Sequence, residues 1–485
     1  MPNGPGRSRP PRLRRPNLTL SLLMVCDSLG NPVHLEDASS ASALNDFVDG
    51  FLSCEARVSN VLSVSSSEMG PLIQAYCAAL HMFAESREAP VNARPYIDHA
   101  LSSTSLISRR EKQFVAAVAA WVDGDIAKAI AIHEQIADEF PRDLASVKLG
   151  QYHLFNQGNP AGMLRLALKV LPHAADVVYM HGMAAFAWEQ CHLLEQAEEA
   201  ARRALAMCAK EPWAQHALAH VMLTQGRLHE GLRFMQHSSP TWTGLNSFMQ
   251  THNWWHLALF ALDLGQDDEV LRLYDQQVWG VVKEYTQDQI GAVSLLARLE
   301  LAGVDVGTRW QDLADYLLAR TDDHVLPFLD LQYLYGLARA GRPEALQLMR
   351  GIETHAEAIA PSRLSSATAS MGTAGIEVSD VWRNVCLPAA SGLLAHARGD
   401  HRAAIEDLGT ALPRLLEIGG SHAQRDLFEQ IYLDALIRGG RASAAQHVLQ
   451  QHLRAQPESV RLRRLAGPVY AQLGLGKVFA GLYPA

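Results

Sequence analysis

The stretches "WVDGD" (121–125), "FNQGN" (155–159) and "LTQGR" (223–227) decide the fold, because their glycines keep a fixed spacing. Gly124 and Gly158 stand 34 residues apart, and Gly226 lies 68 residues, two such steps, beyond Gly158. Thirty-four residues is the tetratricopeptide period, in which two antiparallel helices and their turn make one unit. The skipped middle turn falls at "EQCHLLEQ" (189–196), where His192 takes the glycine's place. Gly265, Gly341, Gly399 and Gly440 mark later turns of the same kind at looser spacing, which insertions account for.

Each unit has matching helix chemistry. "QFVAAVAAWVDGD" (113–125) is an apolar helix ended by a glycine turn. "IAKAIAIHEQIADEFPRD" (126–143) is an amphipathic partner closed by a proline that cannot continue it. Ala119, Ala127 and Ala131 let the paired helices approach closely. No alternating period-2 run of any length is present, so no sheet is expected. The fold class is therefore all-α, a tetratricopeptide-type α-solenoid of helix hairpins.

Three zones follow along the chain. Residues 1–16, "MPNGPGRSRPPRLRRP", read as a disordered basic tail. Residues 17–110 read as an irregular N-terminal helical cap, and 111–475 as the solenoid. "APSRLSSATASMGTAGIEVSD" (360–380) reads as a flexible insertion, either plain linker or the cover of a pocket. The apolar run Leu18–Cys26 is far too short for a membrane span. Arg14-Arg15 is followed directly by Pro16 and no cleavage site appears, so no signal peptide is expected, and Met24 is an alternative start.

Of the 485 residues 48% are hydrophobic and 19% charged, ample for a continuous core. A net charge of −9 argues against nucleic acid as the main partner. The six cysteines (26, 54, 77, 191, 208, 386) form neither a C-x-x-C pair nor a framework, the usage of a reduced, cytoplasmic protein.

The candidate site comes from helix periodicity. In "EPWAQHALAHVMLTQG" (211–226) His216 and His220 are four residues apart and share one helix face. In "THNWWHLALFALDLG" (251–265) His252 and His256 repeat that spacing. Both segments are first helices of their hairpins, which in such arrays line the concave groove. Trp213, Asn253 and Trp255 stand beside them as candidate substrate-binding side chains, with Trp254 nearby. Asp275, Asp323, His324 and Asp330 are the nearby acids and a fifth imidazole.

Three readings remain open. A divalent metal could sit on His220, His252, His256 and Asp275, since neutral imidazole is a common ligand. His216, His220, His252, His256, Asp323, His324, Asp330, Arg425 and Asp426 could instead serve as metal-free catalytic acid–base groups. Or the histidines are satisfied core residues. H-x-x-x-H without an intervening glutamate is not a zincin motif.

In "IGGSHAQRDLFEQ" (418–430) Ser421 and Gln424 form a capping box, which leaves Arg425 and Asp426 unexplained. Arg425 reads as a carboxylate partner, either for one of the aspartates or for an anionic substrate group. No nucleotide-cofactor motif or G-x-S-x-G elbow occurs.

These pieces, with "LYDQQV", "SLLARLELAGVDVGTRWQDLADYL", "DHVLPFLDLQYL" and "LARAGR", resemble the tetratricopeptide repeat protein 38-like family in order over about residues 110–455. The resemblance implies the solenoid fold and no particular activity. It extends to His216, His220, His252, Asn253, His256, Asp275, Asp323, His324, Asp330, Arg425 and Asp426. The chain departs from the pattern at Gly291, where an aspartate is expected, and at Gln332, where a histidine is expected.

Two functions fit: a small-molecule-processing enzyme, in a biosynthetic pathway, or a non-catalytic scaffold for a protein partner or small ligand. Histidine, tryptophan and methionine on the concave face, with little lysine, favour an apolar or aromatic small ligand over an acidic peptide tail. Neither nucleic acid nor membrane is an expected partner, and homo-oligomerisation is compatible with both functions.

Overall fold

A computed structural model describes residues 23–64, 70–102, 107–358 and 378–483. The tail at 1–16 and most of the insertion at 360–380 lie outside the described residues. Residues 378–380, inside the expected insertion, belong to a short helix, Val378–Val381. Twenty-four α-helices make up most of the described chain, joined by short 3₁₀ and π turns. None of them is long and apolar enough to cross a membrane.

The hairpin period is the organising feature. Arg109–Val122 pairs with Ile126–Glu139, Val178–Gln190 with Leu194–Met207, and Pro212–Thr224 with Leu228–Ser238. Turn glycines 124, 158, 226, 265, 341, 399 and 440 all have φ between +62° and +80°, the left-handed region. His192 holds the same region at +56°.

First and second helices differ in what they bury. Leu194–Met207 hides only Ala197, Ala201 and Ala204, a narrow stripe, and leaves its charged face to solvent. Pro212–Thr224 buries ten of its thirteen residues. A helix apolar on nearly every side belongs inside, so first helices form an inner layer and second helices an outer one.

Both ends of the chain fold across this inner layer. At the N-terminal side Ala56 N donates to Gly244 O (3.0 Å) and Asn246 N to Cys54 O (2.7 Å). Further on, Arg87 N donates to Asp323 (3.0 Å) and Thr286 Oγ1 to Ala84 O (3.1 Å). At the C-terminal side Gln456 Nε2 donates to Leu223 O (2.9 Å), and Asp263 accepts from Ser459 and Arg461 (2.7 and 2.9 Å). Gly226 lies so close to the Ala455 carbonyl that a β-carbon would overlap it, and Gly158 meets Leu416 in the same way. One hydrophobic core runs from Val33 to Ile431, with a smaller one in the last repeats.

Two expectations are corrected. A two-stranded antiparallel hairpin, Leu23–Cys26 with Pro32–Leu35, stands where no sheet was expected. Its alternation is only Val33 and Leu35, two buried side chains, too short to register as a period. It is docked by the first repeat: Glu111 of a Ser108 capping box accepts from His34 N and Nδ1 (2.8 and 2.7 Å), and Arg110 reaches Pro32 O (2.9 Å). The inner layer is also not an open groove, because the two chain ends cover it.

Contact between the turns and the returning repeats is testable. Gly124→Ala, where a β-carbon meets nothing within 4 Å, costs about 1 kcal/mol for left-handed backbone alone. Gly226→Ala adds overlap with Ala455 and costs about 3 kcal/mol in urea unfolding. Equal costs would mean that the C-terminal repeats do not close on this turn.

Candidate functional site

Four inner helices bring the ionisable groups together: Val178–Gln190, Pro212–Thr224, Ser247–Asp263 and His422–Arg438. Three of the four are started by a side-chain cap, and Val178–Gln190 has none. Pro212 sits at the first turn behind the Glu211 cap, and Asn246 caps Met249 N (2.9 Å). Ser421 and Gln424 form the expected capping box, Gln424 N to Ser421 Oγ at 3.2 Å and Ser421 N to Gln424 Oε1 at 2.8 Å.

The i,i+4 pairs on adjacent helices converge. His216 Nε2 lies 3.0 Å from His220 Nε2 and 3.1 Å from His252 Nε2. The His256 ring is 4.4 Å from that of His220 and 4.8 Å from those of His216 and His252. One nitrogen from each of the four falls within 4.8 Å of every other. His216, His220 and His256 are at most 1% exposed and His252 is 8% exposed.

Hydrogen bonding does not satisfy this group. A ring nitrogen either donates one proton or offers one lone pair, so His216 Nε2 cannot make a full bond to both neighbours. His216 Nδ1 and both nitrogens of His256 are buried with no partner. Burial, reinforced by the neighbouring imidazoles, pushes the pKa values of His216 and His256 far down and that of His252 to about 3. Burial also lowers His220, against the pull of Glu189. Burial thus favours the neutral form of all four rings, which then present lone pairs.

Glu189 supplies the negative charge. Its Oε2 lies 3.4 Å from His220 Nδ1, and its Oε1 contacts His422 Nε2. Burial would raise this carboxyl, but His220 and His422 outweigh it and hold Glu189 well below the usual range. Glu189, His220 and His422 form a second metal-compatible triad that shares His220 with the first group. His422 is the more open end, with 21% of its side chain exposed.

Aromatic rings hold the imidazoles in place. His252 is stacked between Phe248 (5.2 Å) and Trp255 (5.2 Å), and Trp213 stacks on His216 (4.9 Å). Trp255 carries the buried Arg298 guanidinium at 5.3 Å on its ring, while Trp254 packs edge-on to Trp242 (4.8 Å). Asn253 is fully buried with neither amide atom partnered. Of these only Phe248, Trp213 and Trp254 are half-buried.

Other expected residues sit elsewhere. Asp275 is not a ligand candidate: it lies in the outer turn Tyr274–Val278 and forms an ion pair with Arg309 (2.8 and 2.7 Å). It follows the second helix of its hairpin, and second helices face outward. Asp330 accepts from His324 Nδ1 (2.6 Å), and Asp323 is held by Arg87 N and Arg320. Burial pulls His324 down, but Asp330 outweighs it and raises its pKa. Among the described residues no hydrogen bond or ring contact joins this dyad to the four histidines.

Arg425 pairs with no aspartate. It donates to the carbonyls of Gly419 and Gly420, which the left-handed glycines (φ +85° and +76°) turn toward it. Asp426 instead lies 3.6 Å from Arg298 and accepts from Gln430. At Gly291 a β-carbon meets nothing within 4 Å, and Gln332 is buried with Oε1 unpartnered.

Glu189 and His422 were not singled out from sequence. Both stand inside quoted segments, where a turn and a helix cap account for them locally. They meet across 233 residues, a distance no local signal spans.

No protein-family model matches the chain. Among solved structures, it is similar to the human IFIT1 dimer with PPP-AAAA at 12% identity and a TM-score of 0.42, over 90% of this chain and 93% of that one. The same figures hold for the human IFIT1 dimer with m7Gppp-AAAA. Similarity to Naa15/Naa10 bound to HypK-THB, at 12% identity, covers 92% of this chain and 68% of that one with a TM-score of 0.24.

Burial of neutral histidine has a pH signature, and His153, outside the cluster, isolates it. Burial pushes its pKa to about 3, below the ~6.5 of an unfolded chain. The unfolded state therefore binds the proton first, and stability falls as pH drops from about 6.5 toward 3. The slope is about 1.4 kcal/mol per pH unit for each such histidine. His153→Phe should flatten the stability profile between pH 6 and 4 by that amount. An unchanged slope would show that His153 titrates alike in both states.

Proposed function

We propose that the chain is a small-molecule-processing enzyme whose reaction centre is a transition-metal ion held by His216, His220, His252 and His256. One observation carries this: four neutral imidazoles aim nitrogens at one buried point and cannot satisfy each other there. A divalent cation accepts all four lone pairs at once and removes that deficit. An all-imidazole donor set suits zinc, iron, copper or nickel rather than magnesium or calcium. The resemblance to the tetratricopeptide repeat protein 38-like family at these four positions is part of the same reading.

The chain's own groups then have distinct roles. Glu189 Oε2 lies 3.4 Å from His220 Nδ1, so its charge favours a proton on that nitrogen and leaves Nε2 free to ligate. The Glu189–His422 contact is a proton-handling pair beside the metal, at the end of the cluster that reaches solvent. A bound metal supplies Lewis acidity or an activated water. Phe186 and Trp213, 5.0 Å apart, give the approach an apolar wall.

A second reading, a non-catalytic scaffold, is favoured by the near-complete burial of the four rings, which then form a polar core. Metal analysis separates the two. The purified protein should carry about one transition metal per chain; His216→Gln should lose it while His133→Gln keeps it. The metal-loaded protein, incubated with a small-molecule extract, should deplete a component that the His216→Gln protein leaves intact. Metal-free wild-type protein that folds normally and refuses zinc, iron, copper and nickel would leave the scaffold reading standing.

A further inference from the structure

Above the Glu189–His422 pair, the solvent side of the cluster carries two side chains whose placement is costly. His192 is the first. It occupies a left-handed turn position that glycine fills at residues 124, 158, 226 and 265, and a β-carbon there costs about 1 kcal/mol. Its ring, 4.9 Å from that of His422, stands at an exposed position.

Arg425 is the second. It is half-buried, yet among the described residues no carboxylate lies within ion-pair distance of it. Its bonds to Gly419 and Gly420 use Nη1 alone, so Nε and Nη2 have no protein acceptor. The carboxylates that act on it are Glu429, which is exposed, and Glu189, already engaged by His220 and His422. His192 lies beside His422, which stands one helical turn before Arg425, so both side chains border the same end of the cluster.

The free edge of Arg425 has a known use in this protein. Nε and Nη2 form the edge by which Arg309 grips both oxygens of Asp275 (2.8 and 2.7 Å) and Arg227 grips both oxygens of Glu230 (2.8 and 2.6 Å). A partly desolvated guanidinium with that edge empty is shaped for a carboxylate. A phosphate would bring a second charge against Glu189 and Glu429.

From these placements we infer that Arg425, with His192 beside it, binds the carboxylate of a small organic ligand at the open end of the histidine cluster. This names the substrate class for the reaction centre above and rests on that reading only for its catalytic meaning. The apolar body of the ligand lies toward Phe186 and Trp213, which makes an aryl carboxylate a suitable probe.

Titration of the full chain with benzoate, benzamide and inorganic phosphate, followed by tryptophan fluorescence or ligand-observed NMR, tests the inference. Benzoate should bind at least tenfold more tightly than benzamide, and phosphate should not compete. Arg425→Gln and Arg425→Lys should each remove that preference, the second keeping the charge but not the fork. His192→Gly, which restores the ordinary turn residue, should raise the melting temperature and weaken benzoate several-fold. No benzoate binding, equal affinity for benzoate and benzamide, displacement by phosphate, or an undiminished preference in Arg425→Lys would overturn it. Metal content of the same samples keeps the two claims apart. Metal without benzoate preference ends only this inference, and preference without metal ends only the metal reading.

Discussion

Backbone-to-backbone contact at the turn glycines sets how the whole chain closes. Gly158 and Gly226 present their α-carbons to the carbonyls of Leu416 and Ala455, and neither contact has room for a β-carbon. Glycine thus does two jobs there. It permits the left-handed turn that ends a first helix, and it lets a distant repeat lie directly on that turn. Where the second job is absent, as at Gly124, only the turn remains.

That closure turns a groove into an interior. In an open array the inner faces of first helices meet solvent, and histidines there would hydrogen-bond to water. Here the returning helix His422–Arg438 and the N-terminal segments cover the layer, and water is replaced by other imidazoles and by Glu189. A polar group deprived of water needs a partner, and the cost of leaving it without one is on the order of 1–3 kcal/mol. His256, with both nitrogens unpartnered, and His216, with Nδ1 unpartnered, are the concentrated form of that deficit. Most buried polar groups in native proteins are partnered, so this concentration of unpartnered nitrogens sets the site apart from the rest of the core.

The hairpin architecture was legible because it rests on local rules. Glycine at the 34-residue step, proline after a second helix and the Ser421 capping box each act within a few residues, and each stands where it was read. The β-hairpin was not legible, since two inward side chains do not make a period and its docking depends on Glu111 and Arg110 from another unit. Asp275 misled for a related reason. It lies nineteen residues after His256, yet the hairpin turns it to the outer face and into an ion pair with Arg309. Asp323, His324 and Asp330 likewise form their own cluster, because the next repeats carry them around the superhelix.

By itself, the sequence determined the repeating unit, the inner and outer layers, and the helix faces on which His216, His220, His252 and His256 stand. Those follow from the 3.6-residue period and from where glycine permits a turn. Only the tertiary structure decided that the four histidines are buried, that Glu189 and His422 join them, and that Arg425 turns from the aspartates to the glycine carbonyls. Each of these depends on how far successive hairpins rotate before the chain meets itself. That rotation sums small packing angles over many units, and no single stretch of sequence contains it.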